Sequence, residues 1–161
     1  LQPDGSIAGN DNDQDGSRFE PHYRVISDPG QVQIYEDIMV DFRGDVTTGL
    51  LRGVEYIKDN RLLPRGFDKE TAHEHVAVRG QAADDADFMG GGDLVRYRVE
   101  VADVPGPMEI EAELWYQPIG YRWAENLRAY ETAESAQFLS FFDGVSQDSA
   151  VRMAGATITI Q

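Results

Sequence analysis

Two stretches of strict alternation, residues 94–101 and Met108–Tyr116, limit what this chain can fold into more than anything else in it. Val95, Tyr97, Val99 and Val101 alternate with Leu94, Arg96, Arg98 and Glu100, and Met108, Ile110, Ala112, Leu114 and Tyr116 alternate with Glu109, Glu111, Glu113 and Trp115. A period of two puts every second side chain on one face of an extended chain, so each stretch reads as a half-buried strand. Pro105, Gly106 and Pro107 turn the chain between them. The spacing predicts an antiparallel hairpin with Val101 opposite Met108, Arg98 opposite Glu111 and Arg96 opposite Glu113. Opposite charges facing each other across a ladder favour that register over a one-residue slip.

Shorter strand signals flank this pair. Residues 22–27, 31–40, 47–60, 74–79 and 154–160 carry extended patterns broken by Asp28-Pro29-Gly30, Gly49, Gly53, Pro64 and Gly66. Tyr121, Trp123 and Asn126 lead into a helical stretch. Thr132 then suits an N-cap for a helix whose Phe138, Phe141, Phe142 and Val145 recur at three- and four-residue spacing. The expectation is a mainly β protein, an antiparallel β-sandwich of Ig-like or jelly-roll-like type with one helical insertion near the C-terminus. Residues 1–18 are polar and glycine-containing and read as a flexible acidic arm, leaving 19–161 as a single domain.

Charge and composition exclude several functions. The net charge of -15 repels nucleic acid and anionic membrane surfaces. No apolar run is long enough to span a bilayer. With no cysteine the chain has no thiolate nucleophile, no disulfide, no cysteine-ligated zinc and no CxxCH haem attachment of its own. It reads as a piece of a longer protein whose targeting signal would lie upstream.

A few groups carry candidate chemistry. Asp11, Asp13, Asp15 and Gly16 match the D-x-D-x-D-G opening of a calcium loop, but His22 stands where an EF-hand places its bidentate Glu, so an open calcium site competes with a solvated turn. His73 and His75 would share one face of a strand, as a pair of metal ligands or as two exposed histidines. Gly90, Gly91 and Gly92 lack the lysine, strand and helix of a phosphate loop. Glu111, Glu113 and Glu125 are nominal carboxylates for a hydrolase, yet an arginine opposite each of the first two favours ionised groups over a general acid. Trp115, Tyr121 and Trp123 form a candidate ligand surface, with the alternative that Tyr121 and Trp123 seal the end of the sandwich where the late helix docks.

The order Lys58-Asp59-Asn60-Arg61-Leu62-Leu63-Pro64, then RYRVEV, then a strand ending LWYQ, resembles the β-sandwich region that follows the haem-binding part in some bacterial multihaem c-type cytochrome-like proteins. The resemblance covers roughly residues 31–126 and transfers no catalytic residue. It implies a non-catalytic accessory domain in an exported, periplasmic redox protein. The haem would lie in other parts of the parent, and the haem-bearing domain would be the partner. Asp59 and Arg61 match the family's D-x-R pattern and are expected to form a turn ion pair. The alternative function is a carbohydrate-binding β-sandwich module, calcium-assisted through Asp11, Asp13 and Asp15, with Trp115 as the stacking residue.

Overall fold

The computed structural model describes residues 1–10, 12–102 and 105–160. The chain divides into two compact units, Gly9–Arg98 and the paired segments Leu1–Ala8 and Val99–Gln161.

The first unit contains β1 (Val25–Ile26), β2 (Asp37–Val40), β3 (Val46–Thr47), β4 (Glu55–Asp59) and β5 (Arg96–Tyr97). β2 lies between β3 and β4, antiparallel to both, while β1 and β5 form a separate parallel pair. Ile38, Met39 and Val40 are buried in succession, so β2 is covered on both faces, as a strand that lacks clean alternation should be. It ends at Asp41, whose carboxylate accepts the amides of Arg43 at 2.8 Å and Asp45 at 3.2 Å. Gly44 supplies the positive φ of 87° that this turn requires.

The apolar centre of this unit is Val78, Ala82 and Phe88, with Tyr35 and Leu63 packed against it. Both lysines of the chain are used internally. Lys58, in β4, is buried and donates to Glu36 at 2.9 Å and to the Ile34 carbonyl at 3.1 Å, which gives the buried ammonium the partners it needs. Lys69 donates to the carbonyls of Ala82 and Asp85. The glycine run is packed too, because a Cβ on Gly90 would lie 2.8 Å from the Phe67 nitrogen and 3.0 Å from the Pro64 oxygen. Gly91 adds a bond from its amide to the Leu63 carbonyl at 2.9 Å.

The second unit contains β6 (Met108–Tyr116), α1 (Tyr121–Leu127), α2 (Ala133–Ser149) and β7 (Val151–Ile160). Thr132 caps α2 as its sequence suggests, accepting the Ser135 amide at 3.1 Å. Ala124 of α1 meets Leu139 and Phe142 of α2, with Leu127 and Phe138 packed around them. Arg128 ties the two helices electrostatically, 2.7 Å from Glu125 and 2.6 Å from Asp143. β6 and β7 pair antiparallel over their lengths, with a register shift between Leu114 and Trp115.

Three expectations are corrected. The Ig-like or jelly-roll-like β-sandwich is not formed: among the described residues the sheets have two, three and two strands, and none of them closes into a sandwich or barrel. The strand signals of the first unit are interrupted so often that β1, β3 and β5 each keep only two residues. The hairpin is also replaced. Residues 94–101 give only Arg96–Tyr97 to a ladder with β1, and β6 pairs with β7. β7 offers the same alternation: Ile158 faces Ile110, Ile160 faces Met108, and Arg152 lies 2.9 Å from Glu113 in the role expected of Arg96. Finally, residues 74–79 are not a strand but open with a 3-10 turn, Glu74–Val76, which His73 caps by accepting the His75 amide.

The packing of Gly90 against backbone yields a contrast between neighbours. Gly90→Ala must displace main chain and should cost about 1–3 kcal/mol in chemical denaturation, as overpacking does. Gly92→Ala, which meets nothing within 4 Å, should stay within about 0.5 kcal/mol of the parent.

Candidate functional site

A buried group of ionisable side chains surrounds His22. Its imidazole is fully buried, with Nε2 3.2 Å from Asp85 Oδ2 and 4.0 Å from Asp93 Oδ2. On the other side of the ring, Gln33 Nε2 lies 2.9 Å and Asn60 Nδ2 3.1 Å from Nδ1. The two amide orientations are fixed independently of the histidine. Gln33 Oε1 accepts the Tyr23 amide at 2.7 Å, and Asn60 Oδ1 accepts the Glu36 amide at 2.9 Å. Turning either side chain over would set an NH2 group against a backbone N–H. Both amides therefore donate to Nδ1, so the ring proton sits on Nε2 and is donated to Asp85.

Aromatic contacts floor this group. Phe88, fully buried, meets the His22 ring edge-on at 5.0 Å and stacks with Tyr35 at 6.5 Å. The Tyr35 hydroxyl donates to Asp93 Oδ2 at 2.7 Å, and burial, then this bond, raises its pKa well above the ordinary phenol value. Burial pushes the Asp85 carboxyl up, but the Asp87 amide, His22 and the Arg24 guanidinium at 3.4 Å outweigh it and hold the group below the usual carboxylate range.

His22, Asp85 and Asp93 bring one ligand atom each within 4.8 Å of one another. Their hydrogen bonds do not suit a metal. A cation on Nε2 requires the proton to move to Nδ1, where two fixed NH2 groups already point. The same reasoning removes proton transfer through Nδ1. What the arrangement does chemically is to hold residues distant in sequence at one point.

A second buried carboxylate, Glu20, lies nearby in sequence. Its Oε1 accepts from Asn10 at 2.7 Å and Asn12 at 2.6 Å, and its Oε2 accepts the Tyr23 hydroxyl at 2.6 Å. Asn10 continues to the Gly30 carbonyl at 2.8 Å. These bonds gather Asn10 and Asn12 around a carboxylate that the calcium motif does not include. Of the motif itself, Asp13 is buried, and Asp15 is exposed and accepts the amide and hydroxyl of Ser17 at 2.9 and 2.7 Å. Asp11 lies outside the described residues.

The other sequence candidates fall in separate places. Asp59 and Arg61 form the expected ion pair, Nη2 to Oδ2 at 2.6 Å and Nε to Oδ1 at 2.9 Å. His73 and His75 bring their rings to 4.8 Å on the 3-10 turn. Glu111 and Glu113 sit on the exposed β6, while Glu125 on α1 binds Arg128. Trp115 is exposed on β6, and its indole N–H donates to Glu113 at 2.9 Å. Tyr121 and Trp123 are partly buried on α1, two residues apart and thus on different faces of the helix.

The second unit carries an uncovered apolar face. Met108, Ile110, Ala112 and Leu114 of β6 stand opposite Ile160, Ile158, Ala156 and Ala154 of β7. Glu109, Glu111 and Glu113 oppose Thr159, Thr157 and Gly155 on the reverse side. The ribbon is strongly amphipathic, yet every β7 residue and all of β6 except Met108 are exposed. Beside α2, Phe138, Phe141, Phe142 and Val145 line an open apolar depression with Pro118 and Ile119. Sequence alternation marks the ribbon; the carboxamides of Gln33 and Asn60, by contrast, carry no periodic signal.

Comparison with family models, curated proteins and solved structures finds no match for the chain.

The depressed Asp85 value fixes the sign of one pH effect. Its contribution to stability is complete above its unfolded value near 3.8 and disappears as pH falls through the lower folded value. Denaturant titrations of the parent and Asp85→Asn should therefore differ most above about pH 4 and converge toward about pH 2.

Proposed function

We propose that this chain is a non-catalytic accessory module of a larger, exported redox protein, and that the β6–β7 ribbon packs against the haem-bearing part of that protein. The single observation that carries the docking role is the uncovered apolar face of the ribbon. A two-stranded ribbon alone is marginal in water, and an apolar sheet face gains stability only when another surface removes it from solvent. Ile110, Leu114, Ile158 and Ile160 are each between 39 and 57 % exposed, an arrangement typical of an interaction site. The glutamates on the reverse face suit continued contact with water.

The proposed redox partner rests on the sequence resemblance: D-x-R before a proline loop, followed by two stretches of alternating sequence. The Asp59–Arg61 pair gives that motif a structural use at the end of β4. The His22 group supports a scaffold role for the first unit, because its ring nitrogens are both engaged in holding the fold.

Hydrogen exchange on this chain alone and on the full-length gene product tests the reading. The β6 and β7 amides should exchange fast in the isolated chain and at least about tenfold more slowly in the full-length protein, corresponding to about 1.4 kcal/mol of added protection. Ile110→Asp combined with Ile158→Asp should abolish the difference. Equal exchange in both proteins, a reading frame without CxxCH motifs, or a glycan-array signal lost in Trp115→Ala would contradict the proposal.

A further inference from the structure

The three histidines of the chain occupy two opposite environments. His22 is enclosed, with both ring nitrogens engaged, whereas His73 and His75 are exposed on the turn that carries Glu74 between them. We infer that His73, Glu74 and His75 form a solvent-open site for a divalent transition metal of the zinc, nickel or copper class.

Geometry is the first argument. One ligand atom from each of the three residues lies within 4.8 Å of the others, and the two rings are tilted by 38° with centroids 4.8 Å apart. Metal–ligand bonds of about 2.0–2.1 Å set neighbouring donors roughly 3–4 Å apart. Exposed side chains cover the difference by small torsional adjustments within their rotamer wells. The 3-10 turn makes this convergence possible. On the strand expected from sequence, Glu74 would point away from both histidines.

Availability is the second. Among the described residues no hydrogen bond or ion pair engages the Glu74 carboxylate or the His75 ring. His73 accepts the His75 amide through Nδ1, but at 3.4 Å and in an exposed position. Water can take over that amide when the ring coordinates, a freedom that the buried carboxamides around His22 do not have. Arg79 approaches the turn, but its Nη2 is committed to the Glu74 carbonyl at 3.0 Å. The overall charge of -15 favours accumulation of divalent cations at the surface.

The donor set selects the metal. Two imidazoles and one carboxylate suit zinc, nickel or copper far better than calcium, which takes oxygen ligands in greater number. Three protein ligands in an open turn leave further positions to water.

Because there are only three histidines, paramagnetic broadening reads the site directly. Nickel added to the untagged full chain should broaden the ring signals of His73 and His75 at substoichiometric levels and leave those of His22 sharp. In calorimetric titrations, His73→Ala and His75→Ala should each weaken zinc binding at least about tenfold, and Glu74→Gln should weaken it less. Zinc binding that survives in the His73→Ala/His75→Ala double variant would place the ion on carboxylates elsewhere and overturn the assignment. So would selective broadening of His22, or no broadening at equimolar nickel.

Discussion

The first unit depends on a buried imidazole held from both sides. His22 accepts from Gln33 and Asn60 and donates to Asp85, so one buried ring joins four separate stretches of chain. The need for such a joint follows from the strands themselves. Ladders of two residues supply few backbone bonds, and the stretches between them bury polar side chains that must find partners. Losing one member leaves the others buried and unpaired, at about 1–3 kcal/mol per group. The network is cooperative in that sense: each carboxamide is oriented by a backbone amide and in turn orients the histidine.

The second unit follows a different logic. Its ribbon has a long ladder, interrupted by one register shift between Leu114 and Trp115, but both of its faces are exposed. The helices α1 and α2 bury a small apolar cluster between themselves, while Phe141 and Val145 face outward. One unit is held by satisfied polar groups and the other presents an unsatisfied apolar face. The proposed docking role rests on that contrast.

Periodicity made part of this legible. The alternation of Met108–Tyr116 and of the TITI segment marked both strands and both faces, and Thr132 with Phe138 and Phe142 marked α2. The Asp59–Arg61 pair could be read because its members are two residues apart. Alternation specifies a strand and its apolar face, however, and not its partner. β7 carries the same alternation as residues 94–101, with Arg152 standing in for Arg96. The short pattern of residues 74–79 gave way to a local cap, in which the His73 side chain competes for a backbone amide. The polar joint was hidden for another reason. His22, Gln33, Asn60, Asp85 and Asp93 look like surface residues one at a time, and only the fold brings them together. The sandwich expectation failed because five short strands with polar, buried connections cannot build two facing sheets.

That His22 is a joint, and neither a metal ligand nor a proton carrier, rests on where its single proton sits. Long-range proton–nitrogen NMR correlation of the imidazole rings measures this in the folded protein. The account requires the His22 Nδ1 signal to be that of an unprotonated, pyridine-like nitrogen and Nε2 that of a protonated one, unchanged on addition of zinc. A protonated Nδ1, or an Nε2 signal that moves with zinc, would contradict it.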